Sequence, residues 1–525
     1  MKRNIILGFF AFWMQNISSQ EFPVSWGGLE RNSSSLIEIL PRSNSDFYTL
    51  RWSGGRTFGS YRITNHENLT FIQKKRIKQV ADHGIANFEN AVYFGDKLLI
   101  FLSDRNNGQM SLYSQVYDPQ LELSEGSEMI ATYSNNKLNA KPNFKILQSL
   151  NRRFIGVIWE IPGKRTTGDL YGYKVFDTTM NVVQSGEYVI PIDGNLTTIN
   201  EHYISNEGDY FLCVTEHLRP NDKFLIRDFE NFKSIHVYKI RNNELKEFQL
   251  NLDGKRVDDI RMSSNDSSFF NLSGIYGSGN SNGIEGIFLV RIDSKKDSIV
   301  SRGMIPFSRN IVFHNLSDRQ RDRIEDRLSN RNMEPQLYNY RLRDIFTQPD
   351  GTVLGSVEQY YIQRRMTYDN RTGISSTIFY YYYDDIIAFK IGKLGQFDWE
   401  KLIPKSQISI NDGGPFSSYA SFANDQKMYF IFNDNVKNYN DFGEFSRNSN
   451  SIYSLNLSRR KNTTAITTID TETGETARKT FFNRKELNSI VVPKMFKINS
   501  LNKEILMYAI LGGKERFGIL NFKGK

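Results

Sequence analysis

The feature that most constrains this chain is a grouping of short strands that repeats from one end to the other. One group opens with Ala91-Val92-Tyr93-Phe94 and a turn at Gly95-Asp96. A strongly apolar strand follows at Lys97 to Leu102. After a polar loop come a third strand, Met110 to Tyr117, closed by Asp118-Pro119, and a weaker outer strand, Met129 to Tyr133. Short alternating runs bounded by Gly, Asn, Asp or Pro mark half-buried strands, because successive side chains point to opposite faces.

The same order recurs in Phe144 to Pro191, Ile199 to Leu252, Val257 to Phe307, Leu342 to Pro404 and Tyr419 to Phe482. Four strands per unit at a spacing of roughly 45 to 60 residues predicts the blades of a β-propeller. The expected fold class is therefore all-β: a single propeller over residues 20–525 with one short helical insertion. Counting from Leu36 gives complete units up to Phe482 and a last one with only Val491 to Ile498, Glu504 to Leu511 and Glu515 to Phe522. A segment near Phe22 to Trp26 can supply the missing strand and close the ring, removing sheet edges that would promote aggregation. The count is eight four-stranded blades, with seven as the alternative. A solenoid or two stacked β-sandwiches are the rival architectures.

Residues 308–335 break the pattern and predict the helical insertion, between two blades on one rim. Ser317 with Gln320 fits a capping box, and Leu316, Ile324 and Leu328 fall on one apolar stripe. Arg321 is spaced to pair with Asp318 and Glu325. Arg319, Arg323 and Arg327 are candidate partner contacts, on a helix that otherwise reads as a solvated surface element.

The first residues combine Lys2 and Arg3, an apolar core from Ile5 to Met14 and a small-residue exit at Ser18-Ser19. That layout predicts a signal peptide over residues 1–19 and an exported mature chain, with no later stretch apolar enough to span a membrane. Formal charge is +9, or +7 without Lys2 and Arg3. The basic residues are spread along the chain, so solubility or contact with anionic partners is expected, and nucleic acid is not. The lone Cys213 excludes an intrachain disulfide and a cysteine-rich zinc site. It lies in the apolar run Tyr210 to Val214 and reads as core.

No catalytic, cofactor or metal site is expected. The six histidines contain no HExxH, and His236 alternates within a strand as a structural residue would. Gly279-Asn280-Ser281-Asn282-Gly283 matches GxSxG formally, but it sits in a loop between two strands, where a nucleophile elbow joins strand to helix. Asp384-Asp385, and Asp434 with Asp441, lack the calcium-loop pattern, and adjacent strand residues face opposite ways. Facing carboxylates from different blades, as glycoside hydrolysis needs, are not addressed by spacing. The run Phe379-Tyr380-Tyr381-Tyr382-Tyr383 predicts blade packing on one face, with Tyr381 and Tyr383 as candidate partner or carbohydrate contacts.

The stretch from Tyr383-Asp384-Asp385-Ile386-Ile387-Ala388-Phe389-Lys390 through Gly395-Gln396-Phe397-Asp398-Trp399, Ile403-Pro404-Lys405-Ser406-Gln407, Asn411-Asp412-Gly413-Gly414 and Ser417-Ser418-Tyr419 to Tyr429-Phe430-Ile431-Phe432-Asn433-Asp434-Asn435 resembles a family of large exported propeller-like proteins of Bacteroidota. The resemblance is strong over about residues 380–440 and diffuse elsewhere. It implies a β architecture and a periplasmic home. Asp297-Ser298-Ile299 and Asp177-Thr178-Thr179 are similar to the O-glycosylation triplet of that phylum. The C-terminal residues read as blade strands where type nine secretion cargo carries a β-sandwich sorting domain, which implies retention in the periplasm. In this the chain is similar to the plug subunit at the periplasmic mouth of the type nine translocon. The expected function is a non-enzymatic periplasmic binding or scaffold propeller, soluble or peripheral to the outer membrane, with an envelope or outer-membrane protein as partner. A glycan-binding or carbohydrate-active propeller is the alternative.

Overall fold

The apolar runs Lys97 to Leu102 and Phe154 to Ile161 are second strands of four-stranded antiparallel sheets, and residues Leu98 to Asp104 are buried without a break. A middle strand of a blade is covered on both faces by its neighbours in the ring, so it has no polar side to alternate with. The computed structural model describes residues 23–522, apart from 32–33, 43–44, 56–57, 136–139, 163–167, 221–228, 251, 266–268, 280, 331–332, 372 and 500–502. The expected signal peptide lies outside the described residues.

Among the described residues, seven blades follow one another in chain order: Ser35–Arg76, Asn87–Ser134, Phe144–Val189, Thr197–Phe248, Lys255–Pro306, Tyr340–Ile403 and Ala420–Asn483. The eighth has Ile490–Val491 and Lys497–Asn499 innermost, then Glu504–Leu511 and Lys514–Asn521. Its outer strand is Val24–Trp26, which pairs antiparallel with the last strand, Val24 opposite Leu520 and Trp26 opposite Gly518. The ring is therefore an eight-bladed propeller closed by its N-terminal strand. Gly518 is required at this seam, because a Cβ there would lie 2.7 Å from the Trp26 ring.

The core sits between blades as a series of apolar layers. The layer joining blades eight and one contains Ile39, Phe47, Leu506, Tyr508, Phe517 and Ile519. Cys213 is fully buried in the layer between blades four and five, beside Phe211 and Phe270, as its sequence context predicts.

Blade six departs from the regular ring in two ways. The connection from blade five holds two helices, Arg309–Val312 and Asp318–Asn330. Gln320 accepts from the Ser317 N–H at 3.0 Å, and Leu316, Ile324 and Leu328 form the half-buried stripe. Glu325 pairs with Arg309 at 3.2 Å, where Arg321 was the expected partner.

The second and third strands of blade six, Val353–Asp369 and Ile374–Ile391, have 17 and 18 residues. The matching strands of other blades have eight to ten, as in Lys97–Asn106 and Phe154–Ile161. The surplus forms a hairpin arm, to whose third strand Ile408–Ile410 adds at Tyr380 to Tyr382. In an antiparallel meander, the turn between strands two and three and the crossover to the next blade leave from the same end. Arm, helices and the 404–419 connection therefore share one face of the ring. Contacts agree: Ile284 and Leu337 exchange backbone hydrogen bonds, Tyr360 N–H donates to Asn339 O, and Tyr383 N–H to Gln407 O.

Candidate interaction surface

The arm is anchored at its root by a buried charge cluster. Glu358 lies on the strand that becomes the arm, and Lys405 on the crossover that leaves the blade. Their side chains are fully buried, with Lys405 Nζ 3.0 Å from Glu358 Oε1. Arg343 Nε reaches Glu358 Oε2 at 2.9 Å, and Ser418 Oγ donates to the same oxygen at 2.7 Å. Burial alone would raise the Glu358 carboxyl, but Lys405 and Arg343 outweigh it and hold the pKa below the ordinary range. Lys405 Nζ also donates to the Tyr383 carbonyl at 2.7 Å, which ties the cluster to the arm's returning strand.

Regular alternation would set Asp384 and Asp385 on opposite faces, but they fall in a β-bulge where the pair opposes Gln359, and both accept from backbone N–H groups of the crossover that leaves the blade. Burial raises the Asp384 carboxyl to about 6, and it accepts from Gln407 N–H. Asp385 accepts from Lys405 N–H at 2.8 Å and faces His314 Nε2 at 2.9 Å, linking the arm root to the helical connection. Burial opposes protonation of His314, but its hydrogen bonds to Asp385 and to Ile311 O prevail and raise its pKa.

Beyond Tyr360 the arm has two unlike faces. Cross-strand pairing places Tyr361 with Tyr382, Gln363 with Tyr380 and Arg365 with Ile378 on one face. The inner part of that face packs on itself: Tyr361 and Tyr382 stack at 4.4 Å, Arg365 lies 5.1 Å over the Tyr380 ring, and Tyr382 donates to Gln363, while Ile374, Ile408 and Ile410 at its margins are exposed. The other face pairs Ile362 with Tyr381, Arg364 with Phe379, Met366 with Thr377 and Tyr368 with Ser375. Ile362, Met366, Tyr368 and Phe379 are exposed, Met366 by 70 %.

Two clefts lie beside the arm. One, of about 420 Å³, runs beneath the Asp318–Asn330 helix and is lined by Phe313, Leu316, Ile324, Leu328, Met333 and Leu337. The other, of about 440 Å³, opens between blades four, five and six. Its carboxylates, Asp258 and Asp259, are neighbours on one strand. Arg256 engages the first at 2.8 Å and Arg341 the second at 3.1 Å. In the turn between the first two strands of blade three, Arg152 donates to Pro41 O of blade one at 3.0 Å.

The candidate contacts separate in the structure. Arg319, Arg323 and Arg327 are exposed, and Arg327 borders the groove beneath its helix. Tyr381 is half-buried on the open face of the arm. Tyr383 needs correction as a surface contact: it is only 5 % exposed, its hydroxyl donates to Gly413 O, and Lys494 Nζ donates to it at 2.8 Å. It sits where the arm enters the ring, and the neighbouring crossover covers it. Sequence reasoning missed the arm itself. Its signal was two strand-like stretches, each about twice the usual length, on either side of Asn370-Arg371-Thr372-Gly373.

Elsewhere, Ser281 lies in the loop between two strands of blade five, its hydroxyl on Gln336 Oε1 at 2.7 Å. Ser234, His236 and Glu247 form a row, with Ser234 Oγ 2.8 Å from His236 Nε2 and His236 Nδ1 2.7 Å from Glu247. Glu216 reaches both Ser234 Oγ and His236 Nε2, and also pairs with Lys233, so the row is part of a charge network across strands two to four of blade four. Among the described residues, no three His, Cys, Asp or Glu side chains are grouped to hold a metal ion. No helix among them is long and apolar enough to cross a membrane.

No protein-family model and no curated protein matches the sequence. Solved structures with a similar course of chain include the WD40 domain of SCAP from fission yeast, at 9 % identity over 96 % of this chain and 95 % of that one, with a TM-score of 0.41. Prolyl oligopeptidase B from Galerina marginata matches at 9 % identity over 91 % of this chain and 55 % of that one, with a TM-score of 0.38. An uncharacterized protein from Listeria monocytogenes EGD-e matches at 9 % identity over 82 % and 93 %, with a TM-score of 0.34. Similarity at this level carries nothing about activity.

Proposed function

We propose that this chain is a non-enzymatic binding propeller, exported to the periplasm, that holds a protein of the cell envelope through the face bearing the helices and the arm. The observation that carries the reading is the arm. A two-stranded ribbon exposed to water is marginally stable on its own, and apolar side chains on it gain by being covered. Here the ribbon is braced at its root by a buried ion cluster, yet its outer residues meet solvent. A rigid root with an uncovered tip suits a docking element.

The finer assignment, a subunit resting against the type nine secretion translocon, draws support from the sequence resemblance. The residues that carry it include Tyr383, Asp384, Asp385, Lys405, Gln407 and Ser418, which build the arm root. A glycan site has less support: Asp258 and Asp259, the carboxylates of the cleft between blades four, five and six, come from one strand, and each is held by an arginine.

The test is affinity purification of the tagged protein from detergent-solubilised envelopes. An outer-membrane barrel recovered in equal amount supports the reading, and recovery of the protein alone contradicts it. N-terminal sequencing of the same sample checks export, with a start at Gln20 or Glu21 expected.

A further inference from the structure

The arm's two faces differ in a way that specifies what covers the open one. The inner residues of the self-packed face already have ring partners. The open face presents Ile362, Met366, Tyr368, Phe379 and Tyr381 around a single charge, Arg364. Between Tyr360 and Tyr368 and between Ile374 and Tyr383 the sequence has two arginines, Arg364 and Arg365, and no carboxylate.

We propose that this open face docks on a protein surface that is apolar at its centre and bears carboxylates opposite Arg364. The proposal rests on the binding-propeller reading and names the chemistry of the partner. Charge argues against a second copy of this chain. An interface between identical faces must be self-complementary, and this one offers no acid to answer Arg364 of the other copy. Backbone geometry argues against insertion into lipid. Past Tyr360 the outer edge of the Val353–Asp369 strand has no ladder partner among the described residues, and hydrocarbon leaves such N–H and C=O groups unsatisfied. A protein surface meets both conditions: its carboxylates pair with Arg364, its apolar side chains cover Met366 and Tyr368, and the strand edge stays wet or accepts a partner strand.

The experiment places a photo-reactive benzoyl-phenylalanine at Tyr368, at Tyr381 or, on the opposite face, at Thr367 of the full chain in the cells that make it. Adducts formed on irradiation are identified by mass spectrometry. The proposal expects Tyr368 and Tyr381 to capture the same protein, through a peptide that combines apolar residues with Asp or Glu, and Thr367 to capture it at least about tenfold less. Arg364→Glu should lower the yield from Tyr381 about tenfold, the effect of roughly 1.4 kcal/mol, and Lys in place of the captured acid should restore it. Met366→Lys should lower it as well.

Adducts with a second copy of this chain, with lipid alone, or equally from Thr367 overturn the proposal. So does the absence of adducts from Tyr368 and Tyr381. If the unmodified chain still co-purifies with an envelope protein in that case, only the arm contact is wrong. If it co-purifies with nothing, the binding reading falls too.

Discussion

Arg51 of blade one and Glu515 of blade eight form a two-pronged ion pair across the seam that closes the ring. Arg51 Nη2 lies 2.6 Å from Glu515 Oε1 and Nη1 3.2 Å from Oε2, and both side chains are about nine-tenths buried or more. Tyr508 adds a hydrogen bond to Glu515 at 2.8 Å. The pair couples residues 464 positions apart in sequence, beside the short strand Glu30–Arg31, which pairs with Lys514–Asn521 next to Val24–Trp26.

Removing one partner of such a pair strands a buried charge. Arg51→Met is expected to destabilise the protein by about 3–5 kcal/mol. Arg51→Met combined with Glu515→Gln removes both charges and should be less destabilised than Arg51→Met alone. Denaturant midpoints of the two variants check this, and a loss below about 1 kcal/mol in Arg51→Met would contradict it.

The closing strand itself is sensitive at one atom. Gly518→Ala puts a methyl group 2.7 Å from the Trp26 ring, which packs edge-on against Phe482 at 5.5 Å. The variant should lose about 1–3 kcal/mol through overpacking. Amide exchange should rise first in Val24–Trp26 and Lys514–Asn521, while blades three to five stay protected.

Acid should weaken the ring through two buried histidines. Burial, aided by Arg51, lowers the His66 pKa to about 3, and burial, aided by Lys145, lowers that of His202 to about 3. Both stay neutral in the folded chain, while the unfolded chain takes up protons below about pH 6.5. Unfolded chain then binds more protons than folded, so stability falls as pH drops from about 6.5 toward 3. Each histidine contributes a slope of about 1.4 kcal/mol per pH unit. His66→Phe preserves the stack on Phe47 and should flatten the measured slope by about that amount. An unchanged slope would show that His66 is protonated when folded.

Lys405→Met tests the arm root. It removes the cation that bridges Glu358 and the Tyr383 carbonyl, and Glu358 keeps Arg343 and Ser418. The expected cost is about 3 kcal/mol, with exchange rising in Tyr360 to Tyr383 more than in blades one to four. A uniform rise over the ring would mean that the cluster braces the fold as a whole and not the arm.

The ring was legible because its information is local. Alternation, turn residues and the apolar second strands, such as Lys97 to Leu102, repeat in each unit, and the three-stranded final unit left one vacancy that Val24–Trp26 fills. The interaction surface was less legible because it depends on register and on distant partners. The alternation of Phe379 to Tyr383 marks a strand, but only the pairing of Tyr381 with Ile362 and of Tyr383 with Tyr360 shows one ring near solvent and the other at the root. Lys405 reads as an ordinary loop lysine until Glu358, 47 positions away, is placed against it. The arginines of the Asp318–Asn330 helix were visible because helical spacing alone exposes them.

The central claim is tested most directly by one comparison. The tagged chain and a version in which Ile362 to Tyr381 is replaced by a short Asn-Gly turn are each purified from detergent-solubilised envelopes. The shortened blade six keeps strands of ordinary length, so the ring should melt within a few degrees of the full chain. The account predicts an envelope protein in equal amount with the full chain and its loss from the shortened one. Recovery of the full chain alone would contradict the account.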